Sequence, residues 1–194
     1  MRKLVKNVLH GVFLALAFVP ALLCGFGRVE PVYLLFAQAF AMAPGIIGDY
    51  LRIAYYHLTL EECALDSRIQ FGSFFVHPQA KVGHGVYMGC YCVLGRTKIG
   101  DRTQISSGVH ILSGRRQHAR GEDGRILGSE KGNFTSVSIG PDCWIGAAAI
   151  VMAEVGAGST VGAGSVVVKP IPEGCVAVGS PARVVQAKSG SGDI

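Results

Sequence analysis

Charge is what this sequence has least of. Asp, Glu, Lys and Arg together make up 16% of its 194 residues, against roughly 25% in an ordinary soluble domain. That scarcity, with 49% apolar residues, excludes a disordered or heavily solvated chain. Cysteine pairs of the C-x-x-C kind are also missing. Cys24, Cys63, Cys90, Cys92, Cys143 and Cys175 show neither a zinc-knuckle nor a thioredoxin-like spacing, and a reduced, cytosol-facing protein is the simpler reading. Aromatics are few, at 8%, and none interleave with a basic stripe. The net charge of +5 therefore points away from nucleic acid and toward a phosphate or an anionic lipid surface.

What is present divides into two unlike parts. The chain opens MRKLVK and then runs apolar from Val8 to Phe26, with His10 as the only ionisable side chain. A second apolar run spans Pro31 to Gly48. Each is close to the roughly 20 residues that cross a bilayer as a helix, although Pro20 and Pro44 lie inside them. Three readings stand: a signal peptide, a buried helical hairpin, and a membrane hairpin that spans or re-enters. The signal peptide lacks an A-x-A-like cleavage site. The membrane hairpin is favoured, because Arg2, Lys3 and Lys6 before it and Arg52 after it suit a cytoplasmic location for both ends. Tyr50, Tyr55 and Tyr56 are then expected at the membrane interface, on an amphipathic helix over DYLRIAYYHLTLEECAL. Residues 1–66 form this first unit.

From residue 76 onward a six-residue rhythm takes over. Aliphatic residues fall at Val76, Val82, Met88 and Leu94, then, after a one-residue deletion, at Ile99, Ile105 and Ile111. The rhythm resumes at Ile139, Ile145 and Val151, and again at Val155, Val161 and Val167. Glycine often follows, as at Gly83, Gly89, Gly146 and Gly162, and the fifth position is small or β-branched, as at Ala80, Cys92, Cys143 and Ser159. Strands spaced this closely leave no chain for hairpin turns, which argues against a β-sandwich. They predict a solenoid in which three hexads close one triangular coil and each coil covers the apolar face of the next. Glycine is expected to ease each corner.

The pattern resembles the [LIV]-[GAED]-x-x-[STAV]-x repeat of the hexapeptide acyltransferases. The segment IGPDCWIGAAAIVMAEVGAGSTVGAGSVVVKPIPEGCVAVGSPARVV is similar to the last coils of the galactoside, maltose and antibiotic O-acetyltransferases. The resemblance covers about residues 70–186 and implies a mainly β fold, a left-handed parallel β-helix. The handedness comes from the resemblance alone, since parallel crossovers are otherwise right-handed. The implied domain runs over 67–186, with an extruded loop over 113–136 and a flexible tail over 187–194.

The resemblance also implies an activity: transfer of an acetyl group from acetyl-CoA to a hydroxyl, by a homotrimer, with no metal. An alcohol needs a base to take its proton, and histidine suits that task near neutral pH. The family's catalytic histidine ends a run that matches IGDRTQISSGVHILSGRRQH here, with two extra residues before it, so His118 is the expected general base. His110 is the weaker candidate. His77 and His84 are expected to be solvated corners. Carried over by position, Trp144, Gly146 and Ala147 lie beside the pantetheine arm, Ala163 offers backbone contacts, and Lys169 and Arg183 approach the nucleotide phosphates.

Three positions depart from the family. Tyr91 stands where the sugar acetyltransferases have an asparagine beside the acceptor, Val168 replaces a threonine, and Gln186 replaces an arginine. Tyr91, Arg115 and Arg116 are the expected acceptor contacts. The apolar hairpin implies a saccharide or lipid-linked acceptor at the cytoplasmic face of a bacterial-type inner membrane. Two other functions are weighed: a non-catalytic β-helix scaffold of a membrane complex, and a zinc lyase of the hexapeptide carbonic anhydrase type. The lyase needs three converging histidines, and only His110 and His118 stand near each other.

Overall fold

The computed structural model describes residues 2–114, 118–127 and 134–187. Three helices come first: α1 (Arg2–Leu23), α2 (Glu30–Ala41) and α3 (Gly45–Thr59). Pro31 sits in the first turn of α2, where its missing N–H costs nothing. The second apolar run is not one helix. It breaks at Met42–Pro44, because a proline holds the residue before it out of helical geometry. The resulting α2 has 12 residues, about 18 Å of helix at 1.5 Å per residue, short of the roughly 30 Å of a bilayer core. Only α1 is apolar and long enough to cross one, judged by length and composition among the described residues.

Among the described residues sixteen short strands follow, wound as a solenoid of about six coils with three faces. The first face stacks β1 (Glu62–Cys63), β4 (Lys81–Val82), β7 (Thr97–Ile99) and β10 (Val137–Ile139). The second stacks β2 (Arg68–Ile69), β5 (Tyr87–Met88), β8 (Gln104–Ile105), β11 (Trp144–Ile145), β13 (Thr160–Val161), β15 (Cys175–Val178) and the returning β16 (Arg183–Ala187). The third stacks β3 (Phe74–Phe75), β6 (Val93–Leu94), β9 (His110–Ile111), β12 (Ile150–Val151) and β14 (Val166–Val167). Neighbouring strands of the three described faces pair in parallel, apart from β15 with β16, which is antiparallel.

The expected hexad positions form the core. Val82, Met88, Leu94, Ile105, Ile111, Ile145, Val151, Val161 and Val167 are fully buried. Val76 is not among them: Phe75 takes the inward place, and one extra residue before Val82 restores the phase. The first coil also begins earlier than expected, at Glu62, inside the segment assigned above to the N-terminal unit.

Hydroxyls at the small position are satisfied between coils. Ser73 Oγ donates to the Gly89 carbonyl at 2.6 Å and accepts the Cys92 N–H at 2.8 Å. A buried hydroxyl paired in this way avoids the penalty of an orphaned one. The motif glycines have a different task from the one expected. A Cβ on Gly146 would meet the Ala163 backbone nitrogen at 2.5 Å. Glycine is needed there for the close approach of the next coil.

The helices close the N-terminal end of the solenoid. Tyr33 and Ala37 of α2 and Tyr55 and Tyr56 of α3 are buried in the same cluster as the first coils, and α1 lays Ala17 and Cys24 onto it. Tyr55 and Tyr56 are thus core residues and unavailable to a membrane interface. Tyr50 packs on His10 and Phe13 of α1. Arg52, expected as a flanking cation, is 0% exposed. Its Nε donates to the Ile69 carbonyl at 2.8 Å. Nη1 donates to the carbonyls of Phe40, Ala41 and Ala43 at 2.9, 3.3 and 2.7 Å, and Nη2 meets Asp49 Oδ1 at 2.7 Å. One guanidinium therefore ties the last carbonyls of α2 to β2.

Candidate active site

The corner between the second and third faces is built from small residues and one aromatic. Its backbone forms a ladder, with Gly108 N donating to Cys90 O, Ala148 N to Ser107 O and Gly164 N to Ala147 O, each at 2.8–3.0 Å. Ala147 and Ala163 are exposed on successive coils here, and Gly146 is buried just behind them. Trp144 points outward from β11, 47% exposed, with Nε1 3.3 Å from Ser106 Oγ. An indole beside a shelf of alanines and glycines is an apolar, shallow track, and a thin flexible chain fits it. Tyr91 stands two coils earlier at the same corner, 60% exposed, in left-handed backbone (φ 58°). Its ring meets Phe71 edge-on at 5.6 Å. It offers a phenol where an asparagine was expected to be useful.

The corner between the third and first faces holds the break in the rhythm. The chain leaves the coil at Gly114, in left-handed backbone (φ 86°), and returns at Thr135, whose N–H donates to the Ser113 carbonyl at 3.0 Å. Within the loop, Arg120 and Ile126 form an antiparallel bridge, Leu127 N donates to Ala119 O at 2.8 Å, and Gly121 and Gly124 make the turn. His118 is exposed and directly precedes this small hairpin. Ile126, at the hairpin, is also exposed. Arg115 and Arg116 lie outside the described residues, as does the tail beyond residue 187.

Lys169 is exposed in the connection between the third face and the first, and Arg183 is exposed on β16, where its Nη1 donates to the Ala182 carbonyl at 3.0 Å. The expected site residues thus fall into two groups within one chain. Trp144, Gly146, Ala147, Ala163 and Tyr91 line one corner, while His118 and Lys169 belong to the next, with the whole third face between them. That face is apolar where it points outward, with Val93, Ile150 and Val166 around an exposed His110.

One group was missed from the sequence. His77, expected as a solvated corner, is half-buried: its ring lies 5.2 Å from that of Phe134, and Nδ1 is 3.6 Å from the Glu30 carboxylate. Arg96 places its guanidinium 5.4 Å from the same phenyl ring. His84 does match its expectation, exposed and 3.2 Å from Asp66. Among the described residues no group of three or more His, Cys, Asp or Glu side chains is arranged to hold a metal ion.

No protein-family model matches the chain. Among curated proteins, serine acetyltransferase 4 of Arabidopsis thaliana is 33% identical over 129 residues, which is 63% of this chain and 32% of that protein. The chain spans about a third of the length of the curated relatives it matches. Among solved structures, a maltose O-acetyltransferase from Clostridium difficile 630 superposes with a TM-score of 0.68 at 21% identity, over 84% of this chain and 87% of that one. A mutant of the N-acyltransferase AntD from Bacillus cereus, in complex with dTDP-4-amino-4,6-dideoxyglucose and coenzyme A, gives 0.53 at 20% identity, over 63% and 70%. The fold is the left-handed parallel β-helix, and the coils resemble those of hexapeptide-repeat acyltransferases in both sequence and architecture.

Proposed function

We propose that this protein is an acetyl-CoA-dependent O-acetyltransferase that works as a homotrimer on a membrane surface, with His118 as general base. The observation that carries the reading is the single break in the coil, which lifts His118 into solvent on a structured loop at one corner. In this reading imidazole takes the proton of an acceptor hydroxyl, and the oxygen attacks the thioester carbonyl of acetyl-CoA. The tetrahedral adduct collapses as the C–S bond breaks, and the imidazolium returns the proton to the departing thiolate. An acetyl ester and free coenzyme A result.

The two separated groups support the homotrimer in this reading. A loop at one corner reaches the alanine shelf at another corner only if that shelf belongs to a neighbouring copy. The exposed Ile126 on the loop hairpin and the apolar outward positions of the third face supply contact surface for that neighbour. Trp144, Ala147 and Ala163 would border the pantetheine arm, and Lys169 and Arg183 the phosphates, which suit cations. The complex of AntD with coenzyme A supports that use of the fold.

The membrane part rests on exposed apolar surface. Val8, Val12, Leu16 and Val19 of α1, Leu35 of α2, and Ile46 and Ile47 of α3 are exposed. Only 11% of the apolar window of α1 is buried within the chain. A monomeric soluble surface rarely tolerates so much contiguous apolar area, and a bilayer, at the cytoplasmic face of an inner membrane, would cover it. This location supports a saccharide or lipid-linked glycan precursor as acceptor. An amino-acid hydroxyl is the second reading, favoured by the serine acetyltransferases among the curated relatives.

The test is turnover of acetyl-CoA by the full chain in nanodiscs, followed as free thiol, with sugars and L-serine as acceptors. His118→Ala should lower kcat by about 10²–10⁴, the usual contribution of a positioned base, and leave coenzyme A affinity by calorimetry unchanged. Full turnover in that variant refutes the role of His118. No coenzyme A binding by the wild type refutes the enzyme and favours the scaffold.

A further inference from the structure

At the foot of the extruded loop lies a cavity of about 320 Å³, walled by Glu61, Gln79, Lys81, Arg96, Lys98 and Phe134. Two buried polar atoms of its lining residues have no hydrogen-bond partner among the described residues: Gln79 Oε1 and Arg96 Nε. Orphans of this kind are costly when nothing pairs with them, and two on one cavity wall call for a ligand or a water cluster. Their chemistry is selective. Arg96 offers a charged donor beside two lysines, against one lining carboxylate, Glu61, and with Lys81 3.6 Å from Glu62. The Gln79 amide offers a neutral polar end in either orientation. Phe134, held between His77 and Arg96, offers an apolar wall.

We infer that this cavity is the acceptor subsite and that its occupant is an anionic sugar, a hydroxylated ring with a carboxylate or phosphate group. The acid group meets Arg96 and Lys98, a ring hydroxyl pairs with Gln79, and the C–H face of the sugar lies on Phe134. The inference rests on the acetyltransferase reading above only for the word acceptor; binding at the cavity stands separately. Its position supports the link to chemistry. Phe134 precedes Thr135, which closes the neck of the loop that carries His118, and Arg96 N is held by Ser113 Oγ at 2.9 Å at the same neck. A sugar in the cavity therefore lies at the root of the loop that carries His118. A neutral sugar fills the same space but leaves Arg96 unpaired, which is the basis for discrimination.

Binding is measured by calorimetry on the full chain in nanodiscs, with D-glucuronate, D-glucose 6-phosphate, methyl glucoside and L-serine as probes. Glucuronate or glucose 6-phosphate should bind at least roughly tenfold more tightly than methyl glucoside, the difference of one charge-assisted pair. Arg96→Gln should erase that preference, Arg96→Lys should retain part of it, and Phe134→Ala should weaken all the sugars together. Coenzyme A affinity should stay unchanged in all three variants, which reports intact coils. Equal affinity for charged and neutral sugars overturns the inference, as does binding of L-serine alone, or a preference that survives Arg96→Gln. A change of oligomeric state in Arg96→Gln without any sugar binding overturns it too, since the corner would then be a contact between copies. Loss of coenzyme A binding in the wild type sinks the acetyltransferase reading and leaves the sugar measurement standing.

Discussion

Replacing Arg52 with methionine should detach the helical cap from the solenoid. The guanidinium is fully buried and satisfies four carbonyls and one carboxylate oxygen. Methionine matches its length and removes every donor. Asp49 keeps only the Gln70 amide at 2.8 Å, and the last carbonyls of α2 lose their side-chain partner. Burial pulls the Arg52 guanidinium down from its ordinary value, while the Asp49 carboxylate opposes that shift. The guanidinium keeps its charge at neutral pH all the same, so the substitution leaves the partly buried Asp49 carboxylate without its cation. Breaking a buried pair from one side costs about 3–5 kcal/mol, and each deserted carbonyl that water cannot reach adds about 1 kcal/mol or more. At about 2–4 °C per kcal/mol for a chain of this size, the melting temperature should fall by roughly 10 °C or more. The assay is thermal unfolding by circular dichroism in one detergent for wild type, Arg52→Met and Arg52→Lys. Lysine keeps the charge without the planar fork, so it should recover only a part of the loss. A drop below about 1 kcal/mol for methionine, the scale of an exposed pair, or full rescue by lysine, would refute the role assigned to the fork.

Four other outcomes follow from the same structure. Of the six cysteines only Cys90 is partly exposed, and burial pushes the Cys63 thiol up to about 12 and Cys92 above its usual value; a disulfide reagent at mild alkaline pH should therefore label one site, lost in Cys90→Ser. Gly146→Ala would press a methyl group on the Ala163 backbone and should cost about 1–3 kcal/mol as overpacking, read by urea unfolding; a neutral result would mean the coils separate easily. The exposed Arg102 fork holds the Asp142 carboxyl below its ordinary value. Its contribution is present at neutral pH and lost as pH falls through that lowered value, so Asp142→Asn should differ from wild type at pH 7 and converge with it in strong acid. Finally, Val12→Glu with Leu16→Glu should abolish flotation with anionic lipid vesicles while leaving the α-helical signal intact; retained flotation would move the membrane contact elsewhere.

The coil region was legible because a solenoid repeats its physics. Each inward position meets the same requirement, so Ile105, Ile145 and Val161 declare the face by recurrence, with no need to guess long-range pairing. The one phase error, Val76 in place of Phe75, arose where an extra residue entered before Val82, and periodicity cannot say on which side of an insertion the register changes. The helical cap was harder to read. Hydropathy assigned Arg52, Tyr55 and Tyr56 to a membrane boundary. Burial against a second domain demands the same apolar stripe as burial in lipid, and only the partners of Arg52 separate the two.

The loop shows why a break in a repeat marks a candidate site more readily than it describes one. The failure of the hexad after Ile111 put His118 outside the coil in the sequence, and the structure has it exposed on the loop, although a solenoid gains nothing by extruding a charged segment. The residues that give the neighbouring cavity its character are Gln79, Arg96 and Phe134, with His77 packed on Phe134 behind them, drawn from three coils. In the sequence they occupy variable hexad positions, where almost any residue is compatible with the fold. What makes them a set is the stacking of the coils and the return of the loop at Thr135, which brings Phe134 down between a histidine and an arginine. A repeat constrains its inward positions and leaves the outward ones free, so chemistry written on the outside becomes visible only when the coils are stacked. The same logic separates the two expected groups across the third face. Within one chain they stand on different corners, and any contact between copies that would join them belongs to the outward surface, which periodicity never samples.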